Sequence, residues 1–191
     1  MNLKQDNCIN FLSNNKVENH FGINVQELPF INKINIRINP NDNESIIKCG
    51  KIINTILPIK PNTYAKNENI KVIWLGPNEW LIININNSFK NLRNEIGDID
   101  ASVTDVSENR TIIRISGKQI NKLLSKFLVL DLDNNLPNES ACAQTLFVKV
   151  PVLLLRNYNA KQVPEIDIYV NRSHANYIYN LIVDGAKNLD F

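Results

Sequence analysis

The run Asn69–Ile85, NIKVIWLGPNEWLIINI, and the run Thr104–Ile120, TDVSENRTIIRISGKQI, decide how this chain folds. In the first, Lys71–Leu75 and Glu79–Ile85 are rich in Val, Ile, Leu and Trp, side chains that suit a pleated, half-buried surface. Gly76-Pro77-Asn78 between them is turn chemistry, so the pair reads as a β-hairpin. A short helix should follow, capped by Ser88, carrying Phe89, Leu92 and Ile96 inward and ended by Gly97. In the second run Thr111–Ser116 is a strand. Gly117–Leu128 then continues as a helix with Ile120, Leu123, Leu124, Phe127 and Leu128 inward and Lys118, Lys122 and Lys126 on the solvated face.

Working outward, KINIRIN from Lys33 alternates as a strand and is broken at Asn39-Pro40-Asn41. In NESIIKCGKIINTIL the residues Ile46, Cys49, Ile53, Ile56 and Leu57 recur at helical spacing, Asn41 to Asn43 offer N-caps, and Pro58 stops the run. Toward the C-terminus, Thr145–Val150 and Val152–Arg156 form a strand pair broken at Pro151, and Glu165–Val170 is a further strand. A helix from Ser173 to Val183, closed by Gly185, ends the pattern. Strand, helix and two strands thus occur twice. The fold expected is α+β: two intertwined ferredoxin-like halves with antiparallel sheets, spanning about 31–107 and 108–191 of a single domain. Residues 1–30, with Phe11, Leu12, Phe21 and Phe30 scattered among polar residues, show no period and read as an irregular N-terminal arm.

Composition narrows the function classes. A chain of 191 residues with 43% hydrophobic and 21% charged side chains can bury a core without disulfides or metals. Net charge is only +2 and no Lys/Arg block stands out, which argues against nucleic acid as partner. Cys8, Cys49 and Cys142 are odd in number and widely spaced, as expected of reduced thiols in the cytoplasm. The N-terminus has no signal-peptide pattern and no long apolar run suggests a membrane span.

Few residues carry a chemical signature. His20 and His174 have no partners at metal-ligand or catalytic spacing. Ser107 and Ser116 lack a nucleophile elbow. Asp131-Leu132-Asp133-Asn134-Asn135 opens like a calcium loop, but Leu136 replaces the required Gly and Cys142 stands where the bidentate Glu belongs. Gly76 and Gly117 are isolated, without a phosphate-binding pattern. Asp105, Ser107, Asn109 and Arg110 enter a buried strand, where they would cap a tight turn, with Arg110 bracing it or pairing with a carboxylate of a partner chain. Trp74 and Trp80 flank the Gly-Pro turn, either as packing residues or as interface anchors. Trp74, Trp80, Arg110, Val152 and Leu154 are therefore the candidate partner-interface residues, and catalytic, cofactor-binding and metal-binding residues are expected to be none.

Four motifs, W-L-G-P-N-E-W-L (Trp74–Leu81), D-V-S-E-N-R-T (Asp105–Thr111), I-S-G-K (Ile115–Lys118) and A-Q-T-L with P-V-L-L (Ala143–Leu154), point to a family. From about Ile52 to its C-terminus the chain resembles the gamma subunits of heterotetrameric sarcosine oxidase. The D-V-S, strand, Gly, helix part is shared more widely with the folate-binding fold of aminomethyltransferases, glycine-cleavage T-protein and the dimethylglycine and sarcosine dehydrogenases. The resemblance implies paired ferredoxin-like halves of the folate-binding-domain kind. It also implies a cytoplasmic complex that oxidises sarcosine to glycine and delivers one carbon to tetrahydrofolate. FAD, FMN, NAD, zinc and tetrahydrofolate would then reside in the alpha, beta and delta partner subunits. Enzymes of the wider set present an acidic side chain near the folate and a Y-T-G-E-type segment, whereas the comparable hairpin here, VKVPVLLLRN (Val148–Asn157), holds no carboxylate. A non-catalytic subunit is the expectation, and a stand-alone folate-binding or aminomethyltransferase-like protein is the alternative.

Overall fold

The structure, a computed structural model, describes residues 18–20, 22–83, 94–97, 99–158 and 161–189. It is α+β with two antiparallel sheets, one in each of two compact units: residues 1–30 with 109–191, and residues 31–108.

The first unit holds a six-stranded sheet. Its strands are β1 (Glu18–His20), β2 (Ile23–Glu27), β8 (Arg110–Ser116), β9 (Cys142–Phe147), β10 (Val150–Tyr158) and β11 (Pro164–Asn171), in the order β1-β2-β8-β11-β10-β9. The irregular arm expected over residues 1–30 is corrected at 18–27, which supply two of these strands; residues 1–17 lie outside the described residues. Ile23 and Val25 are fully buried and β2 pairs with β8 in register Val25↔Ile115. Three alternating positions are too few to stand out against an Asn-rich background, and the partner strand lies far along the chain. Gly117 closes β8 at φ +147, where an added Cβ would meet the Gly22 carbonyl at 2.4 Å, so close backbone approach requires glycine there.

One face of this sheet carries Ile113, Ile115, Val152, Leu154, Ile166, Ile168 and Val170. They merge with Ile120, Leu123 and Leu124 of α2 (Ile120–Leu124) and with Ala175, Ile178, Ile182 and Ala186 of α4 (Arg172–Lys187) into one core. Between these helices lies the short α3 (Leu132–Asn135). Gly185 does not close α4, as the sequence suggests. It lies inside the helix, buried, and a Cβ there would approach the Phe127 ring at 2.6 Å. The β9–β10 break is also displaced: the chain turns at Val148-Lys149, with Phe147 opposite Val150, and Pro151 lies within β10 opposite Leu146. Proline is tolerated because the β10–β11 ladder begins only at Val152, so no partner is missing its N–H.

The second unit contains β3 (Lys33–Ile38), α1 (Asn43–Ile52), β4 (Tyr64–Lys66), β5 (Lys71–Gly76), β6 (Glu79–Ile83) and β7 (Ala101–Asp105). Sheet order is β4-β5-β6-β3-β7, a ferredoxin-like arrangement with β4 added at the edge. Ile34, Ile36, Val72, Trp80 and Ile82 face Ile46, Cys49 and Ile53 across its core. Asp42 starts α1: its carboxylate accepts from Ser45 N at 3.0 Å, and the bonds from Ser45 hold its carboxyl below the usual range. The helix ends at Ile52, short of the apolar period, and Asn54 turns the chain at φ +52. Ile56, expected on the buried stripe, is consequently 74% exposed. Residues 94–96 are helical and Gly97 follows as a turn, while the Ser88 cap with Phe89 and Leu92 lies outside the described residues.

Candidate functional site

The β5–β6 hairpin turns through Pro77-Asn78, with Gly76 opposite Glu79 and Trp74 opposite Trp80. Trp80 is 1% exposed and its Nε1 donates to the Pro58 carbonyl at 2.8 Å, so the indole is both core and clamp for the chain after α1. Trp74 is half-buried. Val152 and Leu154 are buried within the core of their own unit. The interface expectation is thereby corrected for Trp80, Val152 and Leu154: alternation along β6 and β10 points them inward, and they offer no surface to another chain. Leu146, Val148 and Pro151 are the exposed apolar residues of the β9–β10 hairpin, and Val129 is exposed on the neighbouring segment. Arg110 is half-buried at the start of β8.

The D-x-S motif is a backbone brace. Asp105 accepts from Ser107 N at 2.9 Å, and Ser107 Oγ accepts from Lys33 N at 2.9 Å. The Lys33 ammonium, on a residue only 2% exposed, donates to the carbonyls of Ile31 at 2.7 Å and Ser107 at 3.3 Å. These bonds lock the start of β3 to the end of the edge strand β7. They engage the serine as a structural group.

Asp131 is likewise a cap. It accepts from Asp133 N at 3.0 Å and Asn134 N at 3.2 Å, and the backbone and side-chain bonds from Asn134 keep its carboxyl below the usual range. Among the described residues no cluster of His, Cys, Asp and Glu is arranged to hold a metal. Exposed His174 lies beside Ser173 Oγ at 3.2 Å. Burial pushes the Cys49 thiol up to about 11 and the Cys142 thiol up to about 12, so neither is a nucleophile near neutral pH.

Sequence reasoning missed the main ionic group. Arg114 on β8 donates from Nε and Nη2 to the two carboxylate oxygens of Asp167 on β11, at 2.7 and 3.0 Å, and lies 3.2 Å from Glu165. Asp167 is 1% exposed. Burial opposes the Arg114 charge, but the Asp167 bonds and the two carboxylate charges raise its pKa above the ordinary value. The signal was available as charged residues set into two apolar strands, Arg110 and Arg114 in RTIIRIS and Glu165 and Asp167 in PEIDIYV. Only the Asp167↔Arg114 register makes it a pair. Thr111 Oγ1 donates to Glu27 at 2.6 Å in the same sheet, another buried bond between distant strands.

An open groove of about 830 Å³ lies in the second unit. It runs between the C-terminal half of α1, the 54–57 turn and β4. Among its lining residues are the exposed Ile47 and Ile56, Lys51 and Lys66.

Comparison with known proteins bears on this fold. The family model "Sarcosine oxidase, gamma subunit family" matches residues 46–188. A sarcosine oxidase subunit gamma from Corynebacterium sp. (strain P-1) is 27% identical over 137 residues, 70% of this chain and 67% of the relative. A chain of the heterotetrameric sarcosine oxidase of Corynebacterium sp. U-96, solved with pyrrole 2-carboxylate, has the same fold. It superposes with a TM-score of 0.81 at 20% identity, over 96% of this chain and 93% of that one. The match reaches from α1 to the last residues of α4, and on it the chain belongs to the sarcosine oxidase gamma subunit family.

Proposed function

We propose that this chain is the gamma subunit of a heterotetrameric sarcosine oxidase and that its contribution is architectural. The family match over residues 46–188 carries this reading. The polar groups described above support it, since Asp105, Ser107, Asp131, Arg114 and Asp167 are each engaged in capping, bracing or ion pairing. The alpha, beta and delta subunits are the proposed partners. They would hold FAD, FMN, NAD, zinc and tetrahydrofolate and carry out oxidation of sarcosine to glycine with one-carbon transfer, in the cytoplasm. Half-buried Trp74 and Arg110 are proposed partner contacts. No helix among the described residues is long and apolar enough to cross a membrane.

Co-expression with the other subunits encoded by the source genome tests this. A tag on this chain should recover a yellow, stoichiometric complex that oxidises sarcosine. A colourless lone chain giving saturable heat with tetrahydrofolate would replace the reading with a stand-alone folate-binding protein.

A further inference from the structure

Strand β7 forms one edge of the second unit's sheet, and its backbone groups divide between two sides. Val106 N donates to the Lys33 carbonyl at 2.9 Å, and on the far side of β3 Ile38 N donates to the Asn78 carbonyl at 3.2 Å. An antiparallel ladder bonds alternate residues to one neighbour. Asn35 and Arg37 therefore bond Thr104 and Ser102, which lie opposite them in the register. The N–H and C=O groups of Val103 and Asp105 point away from the sheet. Ala101 adds only its carbonyl, because its N–H is used on Ile99 at 2.7 Å. Among the described residues these outward groups meet no partner.

Sheet edges are ordinarily blunted by Lys, Pro, a bulge or very short length. β4, the opposite edge, is three residues long. β7 has five, none of them Lys or Pro, in unbroken register with β3. Beside it runs a trough of about 530 Å³ lined by Ile96, Gly97, Ile99 and all five β7 residues. Successive residues of a strand alternate between its faces, so a trough lined by all of them follows the edge. Extended backbone fits there and meets donors and acceptors at strand spacing.

Charge decides whose strand it is. From Asn94 to Asn109 the sequence has five Asp or Glu residues and no Lys or Arg, in a chain of net charge +2. Asp100 precedes β7 and Asp105 ends it, and both are exposed, as is Glu95. A second copy paired edge to edge about a two-fold axis would lay this acidic run on itself, and like charges across a ladder are destabilising. A basic segment of another chain meets no such repulsion.

We propose that β7 is completed by an extended, Lys- or Arg-bearing segment of a partner subunit, which adds a sixth strand to the sheet with Glu95 and Asp100 as its charge partners. The proposal rests on the reading of this chain as a complex subunit and adds the edge by which it docks.

The test is the same co-expression and capture, made with full-length chains carrying Val103→Pro, or Glu95→Lys with Asp100→Lys. Proline at 103 removes an outward N–H and leaves the β3–β7 ladder its bonds. Val103→Pro should lower recovery of the partner subunits about tenfold or more. The double lysine variant should lower it several-fold and flatten its dependence on salt. Hydrogen exchange of the parent chain, alone and in the complex, reads the same edge without any substitution. The peptide covering β7 should take up deuterium more slowly once the complex forms, and this result decides if circular dichroism shows that Val103→Pro does not fold. Undiminished capture by a folded Val103→Pro, or unchanged exchange at β7 in the complex, would overturn strand addition and leave the subunit reading standing. Loss with Val103→Pro but none with the lysine variant would overturn the basic character of the segment. A concentration-dependent dimer of the parent chain that protects β7 would assign the edge to a second copy instead. Failure of the parent chain to capture any subunit would remove both readings together.

Discussion

Val148 is a β-branched residue at φ +57 on an exposed turn, where asparagine or glycine is the ordinary occupant. The left-handed conformation costs an L-residue about 1–2 kcal/mol. Val148→Asn should therefore raise stability by about 1 kcal/mol, read as a higher urea midpoint at unchanged slope. Cys49 and Cys142 show burial acting on ionisation at the same scale. Their folded pKa values lie above the ordinary thiol value of 9.0, so the folded state holds its thiol protons more tightly than the unfolded chain. The stability this supplies is complete below pH 9 and is lost as pH rises through about 11 to 12. Thermal melts should fall above pH 9, and peptide mapping after iodoacetamide at pH 8 should find both thiols unmodified in the folded chain. Substituting Ser at both positions should remove that part of the alkaline decline.

At the scale of elements, α4 is seated on Phe127, which stacks on Phe147 at 4.9 Å and is not free to swing away. Gly185→Ala sets two effects against each other: alanine favours the helix by about 1 kcal/mol, while a methyl 2.6 Å from the ring overpacks the interface at roughly 1–3 kcal/mol. Packing wins, and the variant should be destabilised by about 1 kcal/mol, with the loss recovered when Phe127→Leu is added. An unchanged or raised midpoint for Gly185→Ala alone would show that the ring yields. The helix and strand signals themselves were legible: β3, α1, the β5–β6 hairpin, β8, β11 and α4 all lie where period and turn chemistry place them. Their ends were less so. α1 stops at Ile52, the β9–β10 turn falls at Val148, and α4 runs through Gly185 to Lys187, boundaries that the neighbouring residues do not signal.

For the whole molecule, the decisive prediction concerns β10. Leu154 is fully buried in the first unit's core, so Leu154→Asp should prevent folding: an unpaired carboxylate there costs several kcal/mol, against a total stability of about 5–15 kcal/mol. Far-UV circular dichroism and solubility would report it, and a variant that folds but fails to assemble would return β10 to the list of interfaces. Of the five candidate interface residues, three are core. Large apolar side chains attract attention in a sequence whether they point in or out. Only the fold tells the two apart.

The amino-acid sequence by itself determined the α+β class, the antiparallel hairpins, the structural use of Asp105 and Ser107, and, through its motifs, the family. These depend on period, turn residues and short-range capping, all local along the chain. The tertiary structure alone decided the placement of β2 beside β8 with β1 at the edge, the Arg114–Asp167 pair, and the exposure of Ile56 next to buried Leu57. Each of these depends on which distant segment comes to lie alongside and in what register, and a shift of one residue would turn every side chain to the opposite face.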